Sequence, residues 1–203
     1  MRKLKQNKLI NQIDVNDYQF IIFPLLLILV FLITDIFYTF NKIEYAYSNS
    51  IIPSEIYRLF TCHFLHKDLN HLLSNIGGVI IARYYFKQLK LNNRYFFIYL
   101  VLLIIPIQSF IMIFADNYLI KKDVYYAYGF SGIIYGIDSF LLLISLMGKR
   151  TILNLELNIK KNRLASKSLS ILTYIGIIYS LFPGISLTAN LAGLIAGSII
   201  FLL

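Results

Sequence analysis

The sequence predicts an all-helical, polytopic membrane protein with six spans, and three observations lead there. Hydrophobic residues make up 58% of the 203 residues and charged ones only 14%, with a mean hydropathy of +0.69. A soluble domain carries roughly 25% charged residues. The apolar residues fall in runs near the roughly 20 residues that cross a hydrocarbon core of about 30 Å. The charges gather between the runs.

The net charge of +9 would point a soluble chain towards nucleic acid. Here the placement of the charges assigns it to membrane topology, so the partners expected are a lipid bilayer and transmembrane protein, with no nucleic acid. Cys62 is the only cysteine, so an intrachain disulfide is excluded. Met1 to Lys8 is basic. The apolar run after it is too long for a signal-peptide core and no small-residue cleavage site follows, which predicts a retained first helix. The chain therefore divides into a cytoplasmic segment, 1–17, and a six-helix membrane domain, 18–203.

The first span is expected over Tyr18 to Phe40, with Asp35 near its far end. Residues 41 to 60 form a mixed outer loop, in which Pro53-Ser54-Glu55 reads as a helix start. Span two is expected from about Leu69 to Phe86, span three from Tyr95 to Phe114 and span four from about Tyr128 to Met147. Span five is the short run Ser168 to Phe182, ended by Pro183-Gly184. Span six runs from Ser186 to Leu203. Six spans put both termini on one side. That side carries Arg2, Lys3, Lys5, Lys8, Arg83, Lys87, Lys90, Arg94, Lys149, Arg150, Lys160, Lys161, Arg163 and Lys167, fourteen in all. The other carries Lys42, Arg58, Lys67, Lys121 and Lys122, which is five. The positive-inside rule then makes both termini cytoplasmic.

Polar side chains inside spans face a bundle interior or a water-filled cavity. His71 and Asn75 are four apart and share a helix face. Ser131, Tyr135 and Asp138 share another, and span six holds Asn190. In the predicted topology His71, Ser131 and Asn190 all enter from the outer side, at similar depth. Gly129, Gly132 and Gly136 lie beside the serine, and Gly193 and Gly197 form a G-x-x-x-G. Such faces allow close helix approach, so spans four and six are expected to be neighbours. Blander readings stand beside these. A membrane serine commonly bonds its own backbone, and His71 with Asn75 can act as interhelical glue. Asp138 can be a paired or snorkelling carboxylate, and Cys62 a small packing residue. His63, His66 and His71 lack the H-E-x-x-H pattern and an acidic ligand at helical spacing, so no metal is expected.

The order Tyr57-Arg58-Leu59-Phe60-Thr61, His66, His71-Leu72-Leu73-Ser74-Asn75, Gly129-Phe130-Ser131-Gly132 and Ala189-Asn190-Leu191-Ala192-Gly193 resembles the rhomboid intramembrane serine proteases, from about residue 57 to the C-terminus. The run His63-Phe64-Leu65-His66 is similar to the rhombosortase branch. The resemblance implies a rhomboid-type six-helix bundle in a bacterial inner (plasma) membrane that cleaves transmembrane substrates without a cofactor. It implies Ser131 as nucleophile, and His71 and Asn75 with the Ser131 backbone N–H as oxyanion donors. Gly129 matches the motif glycine and Tyr135 the aromatic that packs on the base. Gly193 and Gly197 match packing glycines, His66 a structural loop histidine and Arg58 an outer-loop arginine.

One position departs from the pattern: Asn190 stands where the family has its catalytic histidine. A serine hydroxyl needs a base to take its proton, and an amide has no useful basicity near neutral pH. Three explanations compete. The chain can be a protease scaffold disabled at Asn190, a pseudoprotease that binds transmembrane helices without cutting, or an enzyme in which His71 doubles as base. The last would leave the oxyanion site short of a donor. A transporter lacks support, because inverted repeats and paired broken helices are missing from the sequence.

Overall fold

The computed structural model describes residues 15–37, 41–50, 54–91, 93, 95–120, 126–152 and 155–203. The basic N-terminal residues, the end of the expected first span, Pro53, Arg94, Lys121 and Lys122 lie outside the described residues. Six long helices follow in order: α1 (Gln19–Phe31), α2 (Leu69–Gln88), α3 (Phe96–Phe114), α4 (Ser131–Met147), α5 (Arg163–Tyr179) and α6 (Leu187–Leu202). A π-helical turn extends α1 to Ile36 and another extends α3 to Leu119. With their flanking turns, Val15–Ile36 and Phe96–Leu119 are 22 and 24 residues long and apolar enough to cross a membrane. Ser131–Met147 and Leu187–Leu202 are shorter apolar helices.

Local chemistry sets the helix starts. Asp68 accepts from the His71 N–H at 2.8 Å and opens α2. Ser186 accepts from Ala189 N–H and opens α6. Side-chain oxygens at such caps satisfy the first-turn donors that a helix leaves unpaired. Asn162 does the same for Ala165 at 3.1 Å, so α5 begins at Arg163, five residues before the expected Ser168, and ends at Tyr179. The apolar run misled here because a capped polar first turn belongs to the helix even where it is not apolar.

α4 packs against α2, α3, α5 and α6, and its contact with α6 is the most extensive in the bundle. Aromatic rings of α1, α2 and α3 close the other side. Phe20 stacks on Phe97 at 4.4 Å between centroids, and Phe23 meets Phe130, just ahead of α4, at 5.7 Å. Buried Gln19 ties α1 to the turn before α3, donating to the Asn93 carbonyl and accepting from the Phe97 N–H. At the same end Asp17 accepts from Arg83 and Lys87 at 2.7 and 2.8 Å.

The connections contain two strand pairs that the apolar pattern does not announce. β1 (Tyr47–Ser48) pairs with β2 (Tyr126–Ala127), Tyr47 opposite Ala127. β3 (Lys149–Ile152) and β4 (Leu155–Ile159) form a hairpin between α4 and α5. The outer loop before α2 is pinned as well. Lys42 pairs with Asp35 and donates to the His66 carbonyl at 3.0 Å. Arg58 is buried; it pairs with Glu55 and donates to the carbonyls of Ile43 and Ala46. A short helical turn, Arg58–Thr61, continued by a 3-10 turn, Cys62–Phe64, forms just after the expected helix start.

Candidate active site

The first turns of α2, α4 and α6 meet around one cavity of about 640 Å³. His71, Asn75, Gly129, Ser131, Tyr135 and Asn190 all line it. Sixty residues separate His71 from Ser131, and 59 separate Ser131 from Asn190, so only the bundle brings them together.

Ser131 is the first residue of α4. Its Oγ donates to Asn190 Oδ1 at 2.9 Å. The other end of that amide is also held, because Asn190 Nδ2 donates to Ser180 Oγ at 2.8 Å. Ser180 gives its own proton to the Gly176 carbonyl at 2.9 Å. The Tyr135 hydroxyl, 3.0 Å from Ser180 Oγ, is therefore the donor in that pair. The result is a directed chain in which each hydroxyl proton and one Asn190 N–H have an acceptor. It turns the carbonyl face of Asn190 to the serine. An amide oxygen can hold the hydroxyl in place, but it does not become a proton carrier near neutral pH.

Glycines make this contact possible. A Cβ on Gly193 would collide with the Gly132 carbonyl, and one on Gly197 with the Gly136 carbonyl and Ser139 Oγ. Gly132 faces the Ala189 carbonyl and Gln108, and a Cβ there would stand 2.8 Å from that carbonyl oxygen. The α4 and α6 backbones thus run in direct contact across Ser131 and Asn190. Gly129 has φ +133°, a region that L side chains rarely adopt. Its N–H donates to the Cys62 carbonyl at 2.9 Å, and a Cβ there would stand 2.6 Å from the His71 ring. The peptide leading into the serine is thereby laid against the imidazole.

Asn75 is buried and its Nδ2 lies 2.8 Å from His66 Nε2. Burial pulls His66 down to about 4, so the ring is neutral at pH 7 and Nε2 accepts from the amide. An amide nitrogen has two N–H groups. One is committed to His66, which leaves the second for the cavity. His66 is also edge-on to His71, with centroids 5.1 Å apart. His63 is likewise buried and pulled down to about 4; with Ser109 Oγ donating to the Leu59 carbonyl, its Nε2–H donates to Ser109 at 3.1 Å. Burial pushes the Cys62 thiol up to about 12, which leaves it unreactive. Among the described residues no group of three His, Cys, Asp or Glu side chains is arranged to hold a metal.

Two residues of the site were not singled out by sequence reasoning. Ser180 is the C-cap of α5, one hydroxyl in an otherwise apolar stretch. Gln108 is buried in α3; its Nε2 donates to the Ala189 carbonyl at 3.3 Å, and among the described residues its Oε1 has no hydrogen-bond partner. A glutamine inside the apolar run of α3 was the available signal.

A hydroxyl, amides and imidazoles around a cavity at one end of a bundle of apolar helices define a class: helical membrane proteins with the makings of an intramembrane hydrolase. The Rhomboid domain family model matches residues 53–203, and the chain belongs to the rhomboid family. That is a family of intramembrane proteases and pseudoproteases, integral to the membrane and acting on transmembrane substrates within the bilayer. A comparison with curated proteins finds no match.

Proposed function

We propose that the chain is a rhomboid-type intramembrane serine endopeptidase scaffold that engages single-span proteins near the outer membrane face. In this reading all six long helices span the membrane and both termini are cytoplasmic. Ser131 is the nucleophile, and His71, the second N–H of Asn75 and the Ser131 backbone N–H stabilise the oxyanion. No cofactor takes part. The observation that supports the reading best is the 2.9 Å contact between Ser131 Oγ and Asn190 Oδ1 in the cavity that His71 and Asn75 also line.

Asn190 sets how far the chemistry goes. Attack of Ser131 Oγ on a carbonyl requires its proton to leave, and the amide oxygen that receives the hydrogen bond does not take it. Loss of one member of such a unit lowers turnover by on the order of 10⁴. A second reading, a pseudoprotease that binds transmembrane helices without cutting them, is favoured by the Asn190 amide being held at both its oxygen and its nitrogen, a settled hydrogen-bonding role rather than that of a base. The rhombosortase branch is the finer assignment for the run His63 to His66.

Labelling with a serine-directed fluorophosphonate separates the two. The parent, Asn190→His and Asn190→His/Ser131→Ala are compared in detergent, together with cleavage of a single-span substrate. Ser131-dependent labelling and proteolysis that appear only on Asn190→His mark a protease scaffold that lacks its base. A folded Asn190→His that neither labels nor cleaves refutes the protease reading and leaves the binder.

A further inference from the structure

At the other end of the bundle a second cavity, of about 450 Å³, lies between the C-terminal end of α2 and the link from β4 to α5. Lys90, Lys160, Lys161 and Arg163 all line it, and all four are exposed. Among the described residues none of the four forms an ion pair. From Gly148 to Lys167 the only acidic residue is Glu156. It is exposed and sits opposite Thr151, towards the hairpin's far end. Asp17, at the same end of α2, is already engaged by Arg83 and Lys87. Four exposed cations with no protein anion between them give this end of the bundle a positive potential that draws anions.

The backbone at this place is also unusual. Lys90 (φ 61°) and Asn158 (φ 46°) are the non-glycine residues with positive φ among those described, and both line this cavity. Lys90 holds the position after the α2 terminus, where the Leu91 N–H reaches back to the Phe86 carbonyl at 2.7 Å. Glycine is the usual residue there. A lysine in that position directs a cation where a glycine would put none.

An exposed apolar lane begins beside the cations. Leu164 follows Arg163 directly, and Ile171, Ile175 and Ile178 continue along the same side of α5, all exposed. The Tyr85 hydroxyl, 2.8 Å from Ser168 Oγ, ties α2 to α5 at this level. A ligand with an anionic head and an apolar tail matches both features. We propose that this cavity is a binding site for the headgroup of an anionic glycerophospholipid, whose acyl chains lie along α5. Clustered basic side chains at a membrane boundary recognise such headgroups through charge.

The test uses the full chain in a neutral detergent, with thermal unfolding followed by circular dichroism. The probes are dioctanoyl phosphatidylglycerol, dioctanoyl phosphatidylcholine and sodium phosphate, each titrated. The expected result is a saturable rise in melting temperature with phosphatidylglycerol only. Lys160→Gln/Lys161→Gln should weaken it roughly tenfold or more. Should that variant not fold, Lys90→Gln on α2 serves in its place. An equal, saturable rise with sodium phosphate, lost in the variants, overturns the lipid assignment in favour of a soluble phosphate ligand. No rise specific to phosphatidylglycerol, or the same rise in the variants, overturns the proposal.

Discussion

Replacing Gly193 by alanine sets two opposed effects against each other, and the structure decides between them. In a helix interior alanine is favoured over glycine by about 1 kcal/mol. Against that, the new Cβ would collide with the Gly132 carbonyl oxygen and stand 2.8 and 3.2 Å from the carbonyl carbon and Cα of the same residue. The obstacle is backbone, which cannot swing aside as a side chain can. Bringing that oxygen to an ordinary separation of about 3.5–4.0 Å moves α4 and α6 apart by roughly 1.5–2 Å. The Ser131–Asn190 bond, 2.9 Å long, is then stretched past the useful limit of about 3.5 Å. Overpacking costs about 1–3 kcal/mol and the lost hydrogen bond about 1 kcal/mol. The net loss is about 1–3 kcal/mol, or roughly 2–10 °C in melting temperature for a domain of this size. Gly77 on α2 is the internal control, since a Cβ there meets nothing within 4 Å. Gly77→Ala should hold or raise the melting temperature. The chain has no tryptophan, so helix content by circular dichroism in detergent is the assay. A Gly193→Ala protein that melts with the parent, or a Gly77→Ala protein that melts below it, refutes the reasoning.

Three further outcomes follow from the same site. Ser180→Ala leaves the buried Asn190 Nδ2 without its acceptor and should cost about 1–3 kcal/mol; in the Asn190→His background it should also shift the pH profile of fluorophosphonate labelling, and an unchanged profile counts against its orienting role. Gly129→Ala forces a side chain into φ +133° against the His71 ring; a loss of about 1–3 kcal/mol is expected, and wild-type melting contradicts it. His63 and His66 are held near 4 by burial, against 6.5 for the free side chain. Between those values the unfolded chain binds more protons, so their stability is complete above pH 6.5 and is lost as pH falls towards 4. The loss is on the order of 3 kcal/mol per histidine. A melting temperature flat from pH 7 to 4.5 rules this out, and His63→Gln should remove part of the slope.

The helical class was legible because burial in lipid imposes a simple rule: long apolar runs with charges between them. Phe96–Phe114 could be read within one residue of its expected start, while its π-helical extension to Leu119 could not, because that turn carries Asp116 and Asn117. α5 could not, because Asn162 caps a first turn that looks like loop. The strands β1 to β4 are short and set by pairing partners far along the chain or across a turn, so local pattern does not reveal them. For the site, the spacing His71 to Asn75, the motif around Ser131 and the glycines of α6 were visible as residue types. The bond from Asn75 to His66 was not, although both residues had been noticed separately.

The residues alone establish that the chain is a bundle of apolar helices, that Ser131 sits between two glycines at the mouth of one of them, and that Asn190 is not a base. Those are properties of composition, period and side-chain chemistry, and they need no coordinates. What Asn190 does instead emerges from packing. Its amide orientation depends on Ser180, ten residues earlier at the C-cap of α5, whose single proton is taken by the Gly176 carbonyl. A hydrogen bond's direction is settled by the count of donors and acceptors that packing brings within about 3 Å, and that count exists only once the helices have met.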